Sequence, residues 1–490
     1  MASRAGGQSG SRARWRWGSG ALGILIGGSL AGCATNPATG QREVSLVSES
    51  QEIALGEQTA TAARAAIGVY PDSGLQRYVR GVGMRLSGIT ERASLPWNFE
   101  VVDDPEVNAF AAPGGKIFVT RGILNFLGSE AELAGVLGHE AGHVTARHTA
   151  RQITRQQLFG IGLIAGAIFS TSVAQNIGAI QQGLGLLFLS YSRGDETQAD
   201  ELGFRYVRRL NYDPREMAET FGTLDRISTL AGGGRVPTWA STHPDPGDRA
   251  TKATQRAAAV PPDSLQRSVV SRDAYLRQIE GIVFGVNPRQ GYFEASRFFH
   301  PDLRFRMDFP SGWKTQNQAQ AVSAISGGND AIVQLSLGGS QSPDALIQEF
   351  VRQEGVRTGS VQRTTVNGLT AATAEFQAQD NQGNQLAGRV LYLSYGSTTY
   401  QLLGYTLAAR YGGYSGAFLN SMQSFSQLTD PVVLNKQPVH LRLVRLSRAM
   451  TIEEFHRQYP SPVRVEIIAA INGVSAGQTL PVGFTAKRVQ

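Results

Sequence analysis

The sequence predicts an α+β protein: a mainly helical domain with a small sheet, followed by an α+β module and a small C-terminal module. Three observations predict this class. The chain has 490 residues, 41% of them hydrophobic, which is enough for about three domains that each bury a core. Residues 51–260 carry a mostly helical pattern, and residues 300–428 carry the alternation of apolar and polar residues that is typical of strands.

Individual elements follow from the same patterns. Phe99–Val102 and Lys116–Arg121 are the two segments of the helical domain that we predict to be strands, because they are rich in aromatic and β-branched residues. A further helix is expected at about 272–284. In the next module Leu303–Phe309 alternates cleanly, and the segments on either side of Gly396 are predicted to form a hairpin.

The N-terminus has the layout of an export signal. Arginines precede the apolar run Ala21–Gly32, which is too short to span a bilayer. Leu30–Cys33 resembles the lipobox of bacterial lipoproteins, in which the cysteine is lipidated and becomes the mature N-terminus. Cys33 is the only cysteine of the chain, so no disulfide framework exists, and a lipidated cysteine is favoured over a free thiol in an oxidising compartment. We therefore expect a signal peptide over 1–32 and a tether over 33–50; the alternative is an ordinary secretory signal with an incidental cysteine.

The net charge does not indicate a nucleic-acid partner. The formal charge is +7, from 46 basic and 39 acidic residues. Four of these positive charges are the leader arginines at positions 4, 12, 14 and 16, so the remaining chain carries +3 (7 minus 4). A charge this small on so long a chain is ordinary, and we exclude nucleic acid as a partner.

Two apolar runs, Leu158–Ser170 and Leu184–Ser190, interrupt the helical domain. Neither reaches the length of about 20 residues that a membrane span needs. We expect buried or hairpin helices here; the alternative is a lip that rests on the membrane surface.

The segment from Ser129 to His143 carries the residues with clear chemical meaning. Ser129 followed three residues later by Glu132 is a capping-box pattern, which predicts that a helix begins there. His139 and His143 are four residues apart, or about 400° of helix, so both imidazoles lie on one face and can reach a single zinc ion. Glu140 lies about 100° round the helix from His139, where it can face a water at the metal without being a ligand.

A catalytic zinc needs a third protein ligand. The best candidates are Glu196 and Asp200, which share one face of the helix predicted after Gly194. One of them can bind the metal while the other accepts a hydrogen bond from a ligand histidine and so fixes its tautomer.

Four spaced motifs together resemble the M48 family of zinc metallopeptidases, which are gluzincins with a zincin-type fold. These are Asn108–Leu124, His139–His143, Ser192–Asp200 and Ser241–Arg249. The match runs from about residue 36 to 285, and its opening resembles the exported lipoprotein members of that family.

The resemblance implies a role for each matching residue. His139, His143 and Glu196 would bind one Zn²⁺ per chain, Glu140 would be the general base, and Asp200 would orient His139. His243 would be a catalytic residue near the metal, either as a reversible fourth ligand or as a donor to the tetrahedral intermediate, with Arg249 alongside.

The resemblance also implies how substrate binds. Lys116–Thr120 would be an edge strand that pairs with extended substrate, and the substrate-binding residues would be Asn108, Ala109, Lys116 and Phe118. This mode favours unfolded segments over folded domains.

Residues 436–490 resemble a degenerate LysM module, a type that commonly binds peptidoglycan. A small structural cap without sugar binding is the alternative. The module over 300–428 carries no catalytic constellation in its sequence.

The prediction is therefore a zinc-dependent metalloendopeptidase over 51–285 that hydrolyses peptide bonds of unfolded or misassembled envelope proteins. By resemblance, Ala34 after the cysteine favours the outer membrane, so the chain would be a Gram-negative lipoprotein facing the periplasm. Two alternatives are an assembly factor or chaperone with a gated zinc site and a peptidoglycan-associated adaptor. A prenyl-protein endopeptidase is disfavoured because no membrane-spanning stretch is present.

Overall fold

The computed structural model describes residues 32–158, 190–230, 238–380 and 383–490. The predicted signal peptide lies outside these residues except for Gly32, and so do the two apolar runs except for their terminal residues, Leu158 and Ser190. Within the described ranges, no helix combines the length and the apolar character that crossing a bilayer requires.

The first part of the chain is mainly helical, with two small sheets. Its helices are α1 (Glu49–Ala66), α2 (Ser73–Ser87), α3 (Arg121–Phe126), α4 (Glu130–Thr145), α5 (His148–Leu158), α6 (Arg193–Arg209), α7 (Arg215–Leu230), α8 (Thr238–Thr242), α9 (Pro246–Ala258), α10 (Pro262–Gln266) and α11 (Arg272–Ile279). Its strands are β1 (Gly32–Thr35), β2 (Arg42–Ser45), β3 (Asn98–Val102), β4 (Ala109–Ala112), β5 (Lys116–Thr120) and β6 (Val283–Phe284). The helix predicted at about 272–284 ends earlier, at Ile279.

Helix α4 runs through the centre of this domain. Ser129 caps it, because its side chain accepts the backbone N–H of Glu132 at 3.1 Å. Every residue from Ala131 to Thr145 is buried. The helix is therefore packed on all sides rather than on one face.

Glycines allow α6 to pack closely against α4. A methyl group at Gly203 would lie 2.9 Å from the backbone nitrogen of His139, and one at Gly142 would lie 2.9 Å from the carbonyl oxygen of Ala199. A Cβ does not fit at such distances, so only glycine permits this approach. The close packing brings the acidic side chains of α6 to the histidines of α4.

The three-stranded sheet has the order β3-β5-β4, with β3 parallel and β4 antiparallel to β5. The prediction that Lys116–Thr120 is an edge strand is therefore wrong. This strand, β5, is paired on both sides, and the edge beside α4 is formed by β4.

The predicted tether is part of the folded domain. Strands β1 and β2 form an antiparallel hairpin. The Asn36 side chain donates to the Ala146 carbonyl at 3.3 Å, and Glu43 accepts from Arg151 of α5 at 2.9 Å. These contacts hold the segment against the end of α4.

The central module is built on an eight-stranded sheet. Its elements are β7 (Tyr292–Glu294), β8 (Arg297–His300), β9 (Phe305–Asp308), β10 (Lys314–Asn317), β11 (Ala321–Ile325), β12 (Ala331–Gly339), α12 (Pro343–Val351), β13 (Arg357–Thr358), β14 (Gln362–Val366), β15 (Leu369–Gln379), β16 (Gln385–Tyr395), β17 (Thr398–Leu407), α13 (Tyr411–Gln423) and β18 (Ser426–Gln427). The predicted hairpin is present as β16 and β17, with Tyr395 opposite Thr398. Strands β7, β8, β9 and β18 form a separate four-stranded sheet.

The C-terminal unit consists of α14 (Pro431–Leu434), β19 (Val439–Arg445), β20 (Met450–Thr451), α15 (Ile452–Gln458), α16 (Val465–Ile471), β21 (Thr479–Leu480) and β22 (Thr485–Val489). It is continuous with the helical domain rather than appended to it. Strand β19 pairs with both β22 and β6. Apolar residues of this unit, including Leu441 of β19 and Val489 of β22, belong to the same buried cluster as Leu133 and Leu137 of α4.

A buried lysine strengthens this attachment. Lys487 of β22 is fully buried, and its ammonium group donates to the carbonyl oxygens of Asn125 at 2.9 Å and Leu127 at 2.6 Å. Burial lowers the pKa of Lys487 to about 7. Both acceptors lie in the segment that leads into α4, so the last strand is bonded to the residues just before the central helix.

Candidate active site

Four side chains from three parts of the chain meet at one point. His139 and His143 come from α4, Glu196 from α6 and His243 from the residue after α8. One ligand atom from each lies within 4.8 Å of the others, and all four residues are buried. The structure thus brings together the three predicted ligands and the predicted catalytic histidine.

The two α4 imidazoles face each other as the helical spacing predicts. Nε2 of His143 lies 3.0 Å from Nε2 of His139. Glu196 lies beside both, with its oxygens 3.5 Å from His139 Nε2 and 3.4 Å from His143 Nε2. Burial alone would raise the pKa of Glu196, but the surrounding His243, His143 and His139 side chains lower it well below its usual value, so this carboxylate is ionised.

A carboxylate behind His139 fixes its orientation. Nδ1 of His139 lies 2.9 Å from Asp200, and Arg249 donates to both oxygens of Asp200, at 2.7 and 2.9 Å. Burial, with the positive Arg249 next to it, lowers the pKa of His139 to about 3. The imidazole is therefore neutral, which is the form that binds a metal. Asp200 lies beside His139, as the resemblance implies, and Arg249, which was expected alongside His243, forms ion pairs with Asp200 and Glu196.

Glu140 is a buried carboxyl group without a partner. Neither of its oxygens makes a hydrogen bond within the described part of the chain. The Nε2 atom of His243 lies 3.6 Å from Oε1 of Glu140, beyond hydrogen-bond distance. Burial raises the pKa of Glu140 to about 7. An unpaired buried carboxyl group is costly, and one beside a cluster of metal donors is suited to proton transfer.

His243 points into the donor cluster. Its Nδ1 lies 3.2 Å from His139 Nε2 and 3.1 Å from Glu196 Oε1. The indole of Trp239 stacks on its ring with the centroids 4.2 Å apart. His243 is thus held where it can complete a four-donor site.

The donor set fits zinc. Three imidazole nitrogens and one carboxylate oxygen, buried and converging, form a combination that zinc accepts with tetrahedral geometry. The Oε2 atom of Glu196 forms no hydrogen bond and is 2.9 Å from Arg249 Nη1, an ion pair without hydrogen-bond alignment. This oxygen therefore retains capacity for a ligand.

The predicted substrate-binding residues divide into two groups. Asn108 and Ala109 lie at the start of the edge strand β4, and the buried Asn108 side-chain oxygen has no hydrogen-bond partner in the described residues. Lys116 and Phe118 lie in the central strand. Lys116 forms an ion pair with Glu57 of α1, and Phe118 stacks on Phe110, so both lie outside the donor cluster.

Sequence reasoning missed residues that touch the predicted ligand histidines, among them Tyr191 and His148. The ring of Tyr191 stacks on His143 with the centroids 3.9 Å apart. His148 places Nδ1 2.8 Å from Nδ1 of His143. A helical projection puts His148 on another face, but α4 ends at Thr145 and Arg147 has a left-handed backbone with φ of 59°, so the chain turns His148 back. The only signal in the sequence was its proximity to the motif.

Comparison with known proteins agrees with this geometry. Residues 73–257 match the model of peptidase family M48. The "Beta-barrel assembly-enhancing protease" of Escherichia coli K12 is 29% identical over 255 residues, which cover 49% of this chain and 50% of that protein. The corresponding protein of Yersinia pestis is 29% identical over 46% of this chain and 48% of its own length. The "Mitochondrial metalloendopeptidase OMA1" of Arabidopsis thaliana is 36% identical over 31% of this chain and 29% of its own length.

These matches leave large parts of this chain and of each relative without a counterpart in the other. The chain spans about half the length of the assembly-enhancing proteases it matches. Among solved structures, cyanobacterial PsbP from Synechocystis matches 28% of this chain and 95% of its own, with 12% identity and a TM-score of 0.24, which is too low to establish a shared fold.

Proposed function

We propose that this chain is a zinc-dependent metalloendopeptidase that hydrolyses peptide bonds of unfolded or misassembled envelope proteins. The observation that carries the proposal is the buried cluster of His139, His143, Glu196 and His243, with the unpaired carboxyl group of Glu140 next to it. The M48 match and the similarity to named proteases support it.

The residues of the chain suggest how the reaction proceeds. Zinc held by His139, His143 and Glu196 would supply a Lewis acid for the scissile carbonyl group and lower the pKa of a water molecule. Glu140 would take a proton from the attacking water and deliver it to the leaving amine. Asp200, held by Arg249, would keep His139 in the tautomer with Nε2 free.

Substrate would bind as an added strand. The β4 edge lies beside α4 and is not paired on its outer side with another strand of the described sheet. An extended segment would add along this edge, and Asn108 at its start offers an unsatisfied amide oxygen. Unfolded or loop segments present such a strand more readily than folded domains do, which favours unfolded or misassembled substrates.

The location follows from the leader. We place the chain at the outer membrane, lipidated at Cys33 and facing the periplasm. The basic and apolar leader and the single cysteine in a lipobox-like sequence support this. For residues 436–490 we favour the structural cap over a separate peptidoglycan-binding module, because the unit shares its core with the helical domain.

The first experiment tests the metal site. The purified chain is expected to bind about one zinc, measured by metal analysis after dialysis, and His139→Ala/His143→Ala is expected to bind almost none because two donors are removed. His456→Ala, which changes a histidine of α15, is the matched control and should keep its zinc. Zinc retained by the double variant would contradict the ligand assignment.

The position of His243 favours a second candidate, in which the site is gated and the chain acts mainly as a chaperone or assembly factor. Because Nδ1 of His243 lies among the donors, it can occupy the position that substrate needs. If His243 is such a gate, His243→Ala should raise the rate of casein cleavage. A lower rate would show instead that His243 assists the reaction as a donor to the developing oxyanion.

A further inference from the structure

The two ligand histidines of α4 are supported in different ways. His139 is backed by the carboxylate of Asp200. His143 is backed by another imidazole, because His148 Nδ1 lies 2.8 Å from His143 Nδ1. Of these two supports, only the first is implied by the sequence motifs.

If His143 is to bind a metal through Nε2, the protons on the two imidazoles have a single possible arrangement. Nε2 of His143 faces the donor cluster, so it must be free of hydrogen and its proton must sit on Nδ1. Nδ1–H of His143 then donates to Nδ1 of His148, which must itself be unprotonated. The neutral His148 ring consequently carries its proton on Nε2.

The structure provides an acceptor for that second proton. Nε2 of His148 lies 3.0 Å from Oε1 of the Gln198 side chain. Asp195 is farther away at 3.7 Å, and it is engaged by Arg151 at 3.0 Å and by Ser192 at 2.7 Å. Gln198 is therefore the nearer partner, and its orientation with the oxygen toward His148 agrees with the required tautomer.

Packing keeps these rings in place. His148 is fully buried, and Tyr191 stacks on the ring of His143. The Tyr191 hydroxyl group lies 3.0 Å from Thr149 Oγ1, on the residue after His148. Rotation of His143 away from His148 would therefore disturb several contacts at once.

We propose that His148 is a positioning residue for the zinc ligand His143, and that Gln198 in turn fixes the tautomer of His148. The side chains form a hydrogen-bonded series in which His143 Nδ1–H donates to His148 and His148 Nε2–H donates to Gln198. This inference rests on the proposed zinc site but not on the proposed substrate or on cleavage.

The test compares two replacements of His148 for their affinity for zinc alone, measured by competition with a chelator on the metal-free chain. His148→Leu removes the acceptor and is expected to weaken zinc binding about 10- to 100-fold, as for other partners behind a ligand histidine. His148→Asn can place its amide oxygen near the position of Nδ1 and is expected to bind zinc more tightly than His148→Leu. Wild-type affinity in His148→Leu, or equal weakness of the two variants, would overturn the proposal.

A second measurement does not depend on how the variants fold. Nitrogen-15 NMR of histidine side chains in the wild-type zinc-loaded chain should show His148 protonated on Nε2 and His143 protonated on Nδ1. A proton on Nδ1 of His148 would rule out the series. Failure of the wild-type chain to bind zinc would instead remove the proposed function, so the two failures are distinguishable.

Discussion

Glu140→Gln is expected to lower the rate of casein cleavage by about 10²- to 10⁴-fold while leaving one zinc bound, because an amide cannot accept the proton of the attacking water. The two side chains have nearly the same shape, and Glu140 makes no hydrogen bond that the variant would lose. Zinc content and cleavage are measured on the same preparation, so that loss of the general base can be distinguished from loss of a zinc ligand.

Glu201→Gln is a suitable control, because Glu201 is exposed and follows Asp200 on α6 without contacting the donors. Its activity should be unchanged. Persisting cleavage by Glu140→Gln would remove it as the base. If Glu140→Gln is inactive but still restores envelope integrity to a strain lacking the protein, the gated chaperone is the better description of its function.

Loss of the C-terminal unit is expected to unfold the helical domain. Deleting 436–490 would expose the face of the shared core that Leu441, Ile468 and Val489 cover. Each fully buried apolar side chain contributes about 1.5–3 kcal/mol, so the loss of many exceeds a typical stability of about 5–15 kcal/mol. The deletion should abolish the cooperative thermal transition and zinc binding together.

A point variant tests the same attachment without removing the core. Lys487→Met should lower the free energy of unfolding by about 2–4 kcal/mol, because two buried carbonyl oxygens lose their donor. Arg488→Met, at the next and partly exposed position of β22, should change it by less than about 0.5 kcal/mol. An unchanged thermal unfolding transition in both Lys487→Met and the deletion variant would indicate that residues 436–490 form an independent module.

Local patterns in the sequence predicted the centre of the site well. The cap at Ser129 and the spacing of His139 and His143 depend only on helix geometry, and the structure has both. Glu196 and Asp200 were placed by the same helical argument on α6. The structure has these local features because one helical period and one capping rule determine them.

The remaining features depend on contacts between distant segments. Strand β4 has the sequence Ala-Phe-Ala-Ala, which lacks the β-branched residues that indicate a strand, so no local pattern predicts it. The edge strand expected from the resemblance is its neighbour β5. Lys487 resembles an ordinary surface lysine until the docking of β22 buries it. The position of His148 depends on the backbone at Arg147, which no periodicity describes.

If Cys33 carries acyl chains, as proposed, the docked N-terminal hairpin would limit how far the catalytic centre can move from the membrane. Asn36 is fixed to the residue that follows α4, only three positions after Cys33. Three extended residues span roughly 10 Å. With acyl chains on Cys33, as proposed, the peptidase would work at a nearly constant height just above the lipid headgroups, and it would reach polypeptides stalled at the bilayer surface before those diffusing freely in the compartment.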